Sequence, residues 1–210
     1  AVFPEDGKSA ADLLKSADTA MYRAKANGRG QAMFFEERMN HEVRERVSLE
    51  RELHAALDND QFTLCYQPQL DLRTGRIVGA EALLRWRHPE RGLVSPSQFI
   101  PVAEESGLIE DLGYFVLSEA CKQAAQWPDI FVSVNVSPVQ FMNPGFAELV
   151  ERTLTRTGLQ ATRLELEVTE GFIIDNADRA NVIINRLHDM KVGVALDDFG
   201  TGFSSIGHLR

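Results

Sequence analysis

The sequence lacks the long apolar runs, the excess of basic charge and the cysteine pairs that would assign a chain to a membrane, to nucleic acid or to a disulfide framework. No stretch approaches the roughly 20 apolar residues that a membrane-spanning helix needs, and no charged start followed by a short apolar core marks a signal peptide. Only two cysteines occur in 210 residues, Cys65 and Cys121. They stand isolated, which argues against disulfides and against a CxxC zinc site; both are expected to be reduced core thiols in a cytoplasmic protein. Basic residues number 22 against 31 acidic ones, for a net charge of -9. Neither nucleic acid nor an anionic membrane surface is an expected partner of this segment, and an anionic ligand would need a metal or well-placed arginines. An initiator methionine is also missing: Ala1 opens on AVFPEDG, which reads as the end of a strand entering a turn, and Arg210 falls where a helix is under way in SSIGHLR. The expectation is a window cut from a longer chain.

What is present is an ordinary globular composition, 44% hydrophobic and 25% charged, enough for one large domain or parts of two. Residues 9–26 read as a helix, with Ser9 and Asp12 spaced as a capping box, Leu14, Ala17, Met21 and Ala24 on one face, and Asn27 and Gly28 as a stop. QAMFF (31–35) reads as a short strand. Residues 36–59 contain no Gly or Pro and repeat Met39, Val43, Leu49, Leu53 and Leu57 at helical spacing, as a linking helix would.

From residue 61 onward, strands alternate with amphipathic helices. Residues 62–72 and 76–86 flank a turn at Gly75 as an antiparallel pair; helices follow at 97–106 and 110–127. Strands are expected at 130–137, 163–170 and 192–199, with helices between them at 145–157 and 176–190. A repeat of about 30 residues per strand and helix marks βαβ units on a parallel sheet. Such strands are normally apolar on both faces, yet Ser133, Asn135 and Ser137 alternate with valines, and Glu165, Glu167 and Thr169 with Leu164, Leu166 and Val168. One face packs on helices; the other must meet something wet or charged. The mouth of a (βα)8 barrel, at the carboxyl ends of its strands, suits that pattern.

Glu81, inside GAEALLRW (79–86), sits among apolar neighbours where an unpartnered carboxylate would cost several kcal/mol. It is one of a set of oxygen donors expected near the same level of four strands: Glu81, Asn135, Glu167, and Asp197 with Asp198. Carboxylates and an amide, without His or Cys, suit Mg2+ or Mn2+, and two such ions about 3.5 to 4 Å apart can serve phosphoryl chemistry. Each residue alone has a plainer role open to it: a strand edge or salt bridge for Glu81, backbone contacts for Asn135, a lumen or supporting position for Glu165 and Glu170. In DDFGTGFSS (197–205), Gly200 and Gly202 permit a tight loop beside the ligands, although Ser204 and Ser205 would also cap an ordinary strand-to-helix turn.

GAEALLRW, YQP (66–68), FIPVAEESGLI (99–109), NVSPVQF (135–141), LELEVTE (164–170) and DDFGTGFSS, in this order, resemble the EAL domain of bacterial cyclic-di-GMP phosphodiesterases; Glu81, Ala82 and Leu83 form the signature triplet. The first 35 residues resemble the tail of a GGDEF diguanylate cyclase domain, AMYRAKANGR being the distinctive part. The resemblance implies an α/β fold: an incomplete (βα)8 TIM-like barrel over 60–210 with its first strand antiparallel, a linking helix over 36–59, and a remnant of an α+β GGDEF domain over 1–35. It implies Glu81, Asn135, Glu167 and Asp197 as metal ligands and Asp198 as serving a second metal, with Glu81, Asp197 and Asp198 counted as catalytic. Gln67 would contact a substrate base and Arg85 a substrate phosphate. A guanidinium pairs bidentately with phosphate, though a strand-end salt bridge is equally open to Arg85.

The implied reaction is hydrolysis of one phosphodiester of cyclic di-GMP to linear pGpG with Mg2+ or Mn2+, in second-messenger signalling. A possible homodimer is implied by the same resemblance, and a membrane tether could lie only outside this segment. Phe203 stands where the family's loop has tyrosine. The family's lysine, a further glutamate and a later glutamine would lie past Arg210, and the GG(D/E)EF motif before Ala1. A full barrel takes about 250 residues, so the 210-residue piece is expected to be inactive alone and to aggregate through unpaired strand edges. The alternative is a catalytically silent EAL domain that binds cyclic di-GMP as a receptor or binds a protein.

Overall fold

The computed structural model describes residues 1–26, 30–127, 129–169 and 176–197. The chain divides into two compact units, Ala1–Ala55 and Ala56–Arg210.

In the first unit, α1 (Ala10–Ala26) starts at a reciprocal cap: the Asp12 amide donates to Ser9 Oγ (3.2 Å) and the Ser9 amide to Asp12 Oδ2 (3.1 Å). Two donors with no partner inside the helix are thereby satisfied, as the spacing predicts. The buried stripe meets the expected one only in part, at Ala24. Ser16, Ala20 and Ala24 are buried, whereas Leu14 is 66% and Met21 50% exposed. Ser16 Oγ donates to the carbonyl of Asp6 (2.8 Å), in a turn closed by Asp6 N to Val2 O (2.8 Å). This bond ties the turn to α1 at Ser16, whose face at four-residue spacing also carries Ala20 and Ala24.

The strand expected at 31–35 is not formed, nor is one at Ala1 and Val2. A strand exists only through pairing, and all the described strands lie in the second unit. The Asn27–Gly28 stop lies outside the described residues. α2 (Glu37–Asp58) forms where Gly and Pro are absent, with Met39, Leu49 and Leu53 buried and Val43 and Leu57 half-buried.

The second unit runs β1 (Phe62–Leu70), β2 (Ile77–His88), β3 (Gly92–Val94), α3 (Pro96–Ser106), α4 (Ile109–Ala124), β4 (Phe131–Asn135), α5 (Pro138–Phe141), α6 (Phe146–Thr157), a 3-10 turn (Ala161–Arg163), β5 (Leu164–Thr169), α7 (Ala177–Asp189) and β6 (Gly193–Asp197). β1 and β2 are antiparallel, joined by a turn in which Asp71 Oδ1 accepts from the amides of Arg73 and Thr74 (2.8 and 3.0 Å). β2, β4, β5 and β6 follow in parallel, and the short β3 pairs with β2.

One face of this sheet makes the core. Ala82, Val132, Val134, Leu164, Leu166 and Val168 are buried against Leu117, Ala120 and Cys121 of α4, Ala147 and Val150 of α6, and Leu187 of α7. Each such aliphatic side chain contributes about 1.5 to 3 kcal/mol by leaving water. A second cluster stacks Trp86 edge-on to Phe99, with ring centroids 5.5 Å apart, and tilts Phe62 against both. The Trp86 indole N–H donates to Gln61 Oε1 (3.1 Å). Cys121 is fully buried in the core as expected, but Cys65 is exposed. The reason is alternation: Cys65 pairs with Leu83 of β2 and shares the face of Gln67, opposite the helices.

Candidate active site

The polar face of the sheet carries the candidate ligands because hydrophobic helices claim the other. Period-two alternation then places Glu81, Ser133, Asn135, Glu165, Glu167 and Asp197 together. The ladder pairs Glu81 with Ser133, Ser133 with Glu165, Asn135 with Glu167, and Thr169 with Asp197. Across β1 and β2, Gln67 faces Glu81 directly. The donors are not on one rung. From the rung of Glu81, Ser133, Glu165 and Gly193, Asn135 and Glu167 lie two residues further along and Asp197 four.

Strand tilt explains this stagger. In a barrel of eight strands and shear eight, a line of constant height crosses the sheet at about one residue of register per strand. Three crossings from β2 to β6 therefore call for about three residues, and only even steps stay on one face. The progression zero, two, two, four is of that size.

Hydrogen bonds knit the face. Asn135 Nδ2 donates to Glu81 Oε1 (2.7 Å), so the amide nitrogen is committed and Oδ1 is the atom left to face a cation. Below it, Gln69 Nε2 donates to Ser133 Oγ (3.4 Å), which donates to Glu165 Oε1 (3.1 Å). Burial raises the carboxyl of Glu167 above the usual glutamate range; the Ser133 hydroxyl opposes this, and the nearby carboxylates Glu81, Asp197 and Glu165 add to it. Negative charge is thus crowded at Glu167 without a described counter-ion, which is the electrostatic setting a divalent cation relieves. Among the described residues no three Asp, Glu, His or Cys side chains are gathered closely enough to hold a metal as they stand. Carboxylates repel until a cation lies between them. The oxygen-only donor set still fits a hard divalent ion, and no soft ligand competes.

Arg85 lies four residues beyond Glu81 on β2, about 13 Å along the strand, and its Nη1 donates to the carbonyl of Leu84 (2.9 Å). Asp198, the rest of DDFGTGFSS and Glu170 lie outside the described residues. Sequence reasoning did not single out Gln69 or Glu104. Gln69 carried a usable signal, since it shares the parity of Gln67 on β1. Glu104 lies inside the FIPVAEESGLI motif, but nothing local shows its partner, since Ser137 Oγ donates to it from 33 positions away.

The residues 50–210 match the family model of the EAL domain. The chain belongs to the EAL-domain family. It is 43% identical over its whole length to the bifunctional diguanylate cyclase/cyclic di-GMP phosphodiesterase MucR of Pseudomonas aeruginosa, covering 31% of that protein. To the cyclic di-GMP phosphodiesterase PdeR of Escherichia coli strain K12 it is 39% identical, again over its whole length and 32% of the relative. The chain therefore spans about a third of the length of these curated relatives. Among solved structures, the PaMucR phosphodiesterase in complex with c-di-GMP superposes with a TM-score of 0.73 at 44% identity, over 75% of this chain and 66% of that one. The EAL enzyme Bd1971, in a form bound to cAMP and cyclic-di-GMP, gives 0.74 at 29% identity, over 97% and 55%. The fold is accordingly the TIM-barrel-like architecture of EAL domains, and the family's phosphodiesterases are dependent on a divalent metal.

Proposed function

We propose that this chain is part of a GGDEF-EAL signalling protein whose EAL half hydrolyses one phosphodiester of cyclic di-GMP to linear pGpG. Residues 1–35 are read as the end of the GGDEF domain, 36–59 as the linking helix and 60–210 as the beginning of the barrel. The observation that carries the reading is the set of oxygen donors on one polar face of a parallel sheet, Glu81, Asn135, Glu167 and Asp197, in a chain of this family. These residues, with Asp198, would hold two Mg2+ or Mn2+ ions. When bound, such ions activate water and neutralise phosphodiester charge.

The protein's own groups supply the rest. Gln67, opposite Glu81, would contact a guanine edge, and Arg85, further along β2, would offer a planar fork to a phosphate. Asn135 steadies Glu81 through its amide N–H. The intact protein is proposed to be cytoplasmic in this part, with cyclic di-GMP as ligand and a second copy of itself as partner.

The test is an assay of the full-length protein with cyclic di-GMP and Mg2+ or Mn2+, resolving pGpG by chromatography. Glu81→Ala is expected to lower the rate by more than about 100-fold, beyond the usual cost of losing a residue that merely supports a ligand. Substituting Ca2+ should block turnover, because its looser, larger coordination competes for oxygen sites. Equal hydrolysis by the wild type and Glu81→Ala would remove the assignment.

A further inference from the structure

We infer that Glu104, on α3, is a positioning residue for Asn135, acting through Ser137 at the carboxyl end of β4. The inference rests on Asn135 being a metal ligand. β4 ends at Asn135, and the chain turns at once into the four-residue α5. A ligand at a strand end is only as well placed as the turn that follows it. Here that turn is tied from several sides.

The Val136 amide donates to the carbonyl of Glu167 (2.8 Å), joining the backbones of two candidate ligand strands. The half-buried Ser137 donates from Oγ to Glu104 Oε1 while that same Oγ accepts from the Val139 amide (3.2 Å). The Ser137 amide donates to Gln140 Oε1 (3.3 Å), completing a capping box. Gln140 is 6% exposed, and its amide occupies the space over Gly113 of α4: a Cβ at Gly113 would stand 1.4 Å from Gln140 Nε2. Further along, Asn143 Nδ2 donates to both carboxylate oxygens of Glu110 (2.9 and 3.0 Å).

Capping four residues does not call for this much. A serine and a glutamine suffice for a capping box, whereas the link to Glu104 and the missing side chain at Gly113 tie the turn to two helices, α3 and α4. A hydroxyl donating to a carboxylate is among the stronger hydrogen bonds available, and its geometry fixes the backbone two residues from Asn135. Groups that orient a ligand in this way commonly set metal affinity.

The experiment is a titration of the full-length protein with Mn2+, following the free-ion electron paramagnetic resonance signal, beside melting temperature and hydrolysis of cyclic di-GMP. Glu104→Ala and Ser137→Ala are expected to raise the Mn2+ dissociation constant about tenfold or more while remaining folded. Glu104→Gln, whose amide oxygen can still accept from Ser137, is expected to recover most of the loss, which a role in charge or bulk stability would not. Gly113→Ala, which displaces the Gln140 amide, should move the constant in the same direction as Glu104→Ala. Unchanged Mn2+ affinity in the folded alanine variants overturns the inference, and so does unfolding of both, since the residues would then support the fold and not the ligand. A wild type that binds Mn2+ without hydrolysing cyclic di-GMP defeats the proposed reaction and leaves this comparison decisive. A wild type that binds no Mn2+ defeats the metal site and this inference with it.

Discussion

At the scale of single residues, Ser133 shows how a βαβ sheet carries polar groups beneath a site without losing stability. Its side chain is fully buried, yet it accepts from Gln69 and donates to Glu165, so no polar atom there goes unpaired. Ser133→Ala should cost about 1 to 3 kcal/mol, the penalty for leaving a buried partner unsatisfied, read as a lower urea midpoint. The two thiols differ in the same terms. Burial pushes the Cys121 thiol up to about 12, while Cys65 is exposed. Alkylation at pH 8 should therefore label Cys65 in the native protein and Cys121 only after unfolding; equal native rates would contradict the packing.

Glu167 adds a pH dependence. Its carboxyl is raised in the folded state, so the stability it contributes is complete below the usual glutamate range and is lost as pH rises through the elevated value. A metal ligand must be ionised, and binding releases that proton. The rise in melting temperature on adding Mn2+ is therefore expected to grow as the pH is raised above the usual glutamate range, and a rise independent of pH would argue against Glu167 as a ligand.

At the scale of elements, periodicity located the helices of both units and the strands of the second, and failed at the strand expected over 31–35. Apolar residues at positions such as Val132, Val134, Leu164, Leu166 and Val168 mark strands that bury one face, and the structure buries those five. QAMFF has the same local composition, but pairing is a long-range event that no local pattern guarantees. On α1 the expected face and the buried one share Ala24 but differ at Leu14 and Met21, because helical spacing fits several overlapping faces and the turn that bonds Ser16 selects among them. β3 and α5 were too short to show a period. Helix ends were easier. α6 stops at Gly158, whose φ of 72° is costly for residues with a Cβ. Gly158→Ala should cost about 1 kcal/mol, measurable as a small drop in the denaturation midpoint without loss of activity.

The whole molecule sets the remaining limit. Which residues face the polar side could be read from alternation, but the two- and four-residue offsets that separate Asn135, Glu167 and Asp197 from the rung of Glu81 are of the size strand tilt requires, a property of the whole sheet. Among the described residues the sheet is bounded by β1 and β6. The 210-residue piece alone should therefore associate through these edges and elute as large species in size-exclusion chromatography with light scattering, without hydrolysing cyclic di-GMP. A monodisperse, active fragment would contradict that. The most direct test of the central claim is a crystal structure of the full-length protein soaked in Mn2+, with anomalous diffraction to locate the ion. Peaks held at bonding distance by Glu81, Asn135, Glu167 and Asp197 together would bear the account out. Manganese bound elsewhere, with those four side chains turned from one another, would contradict it.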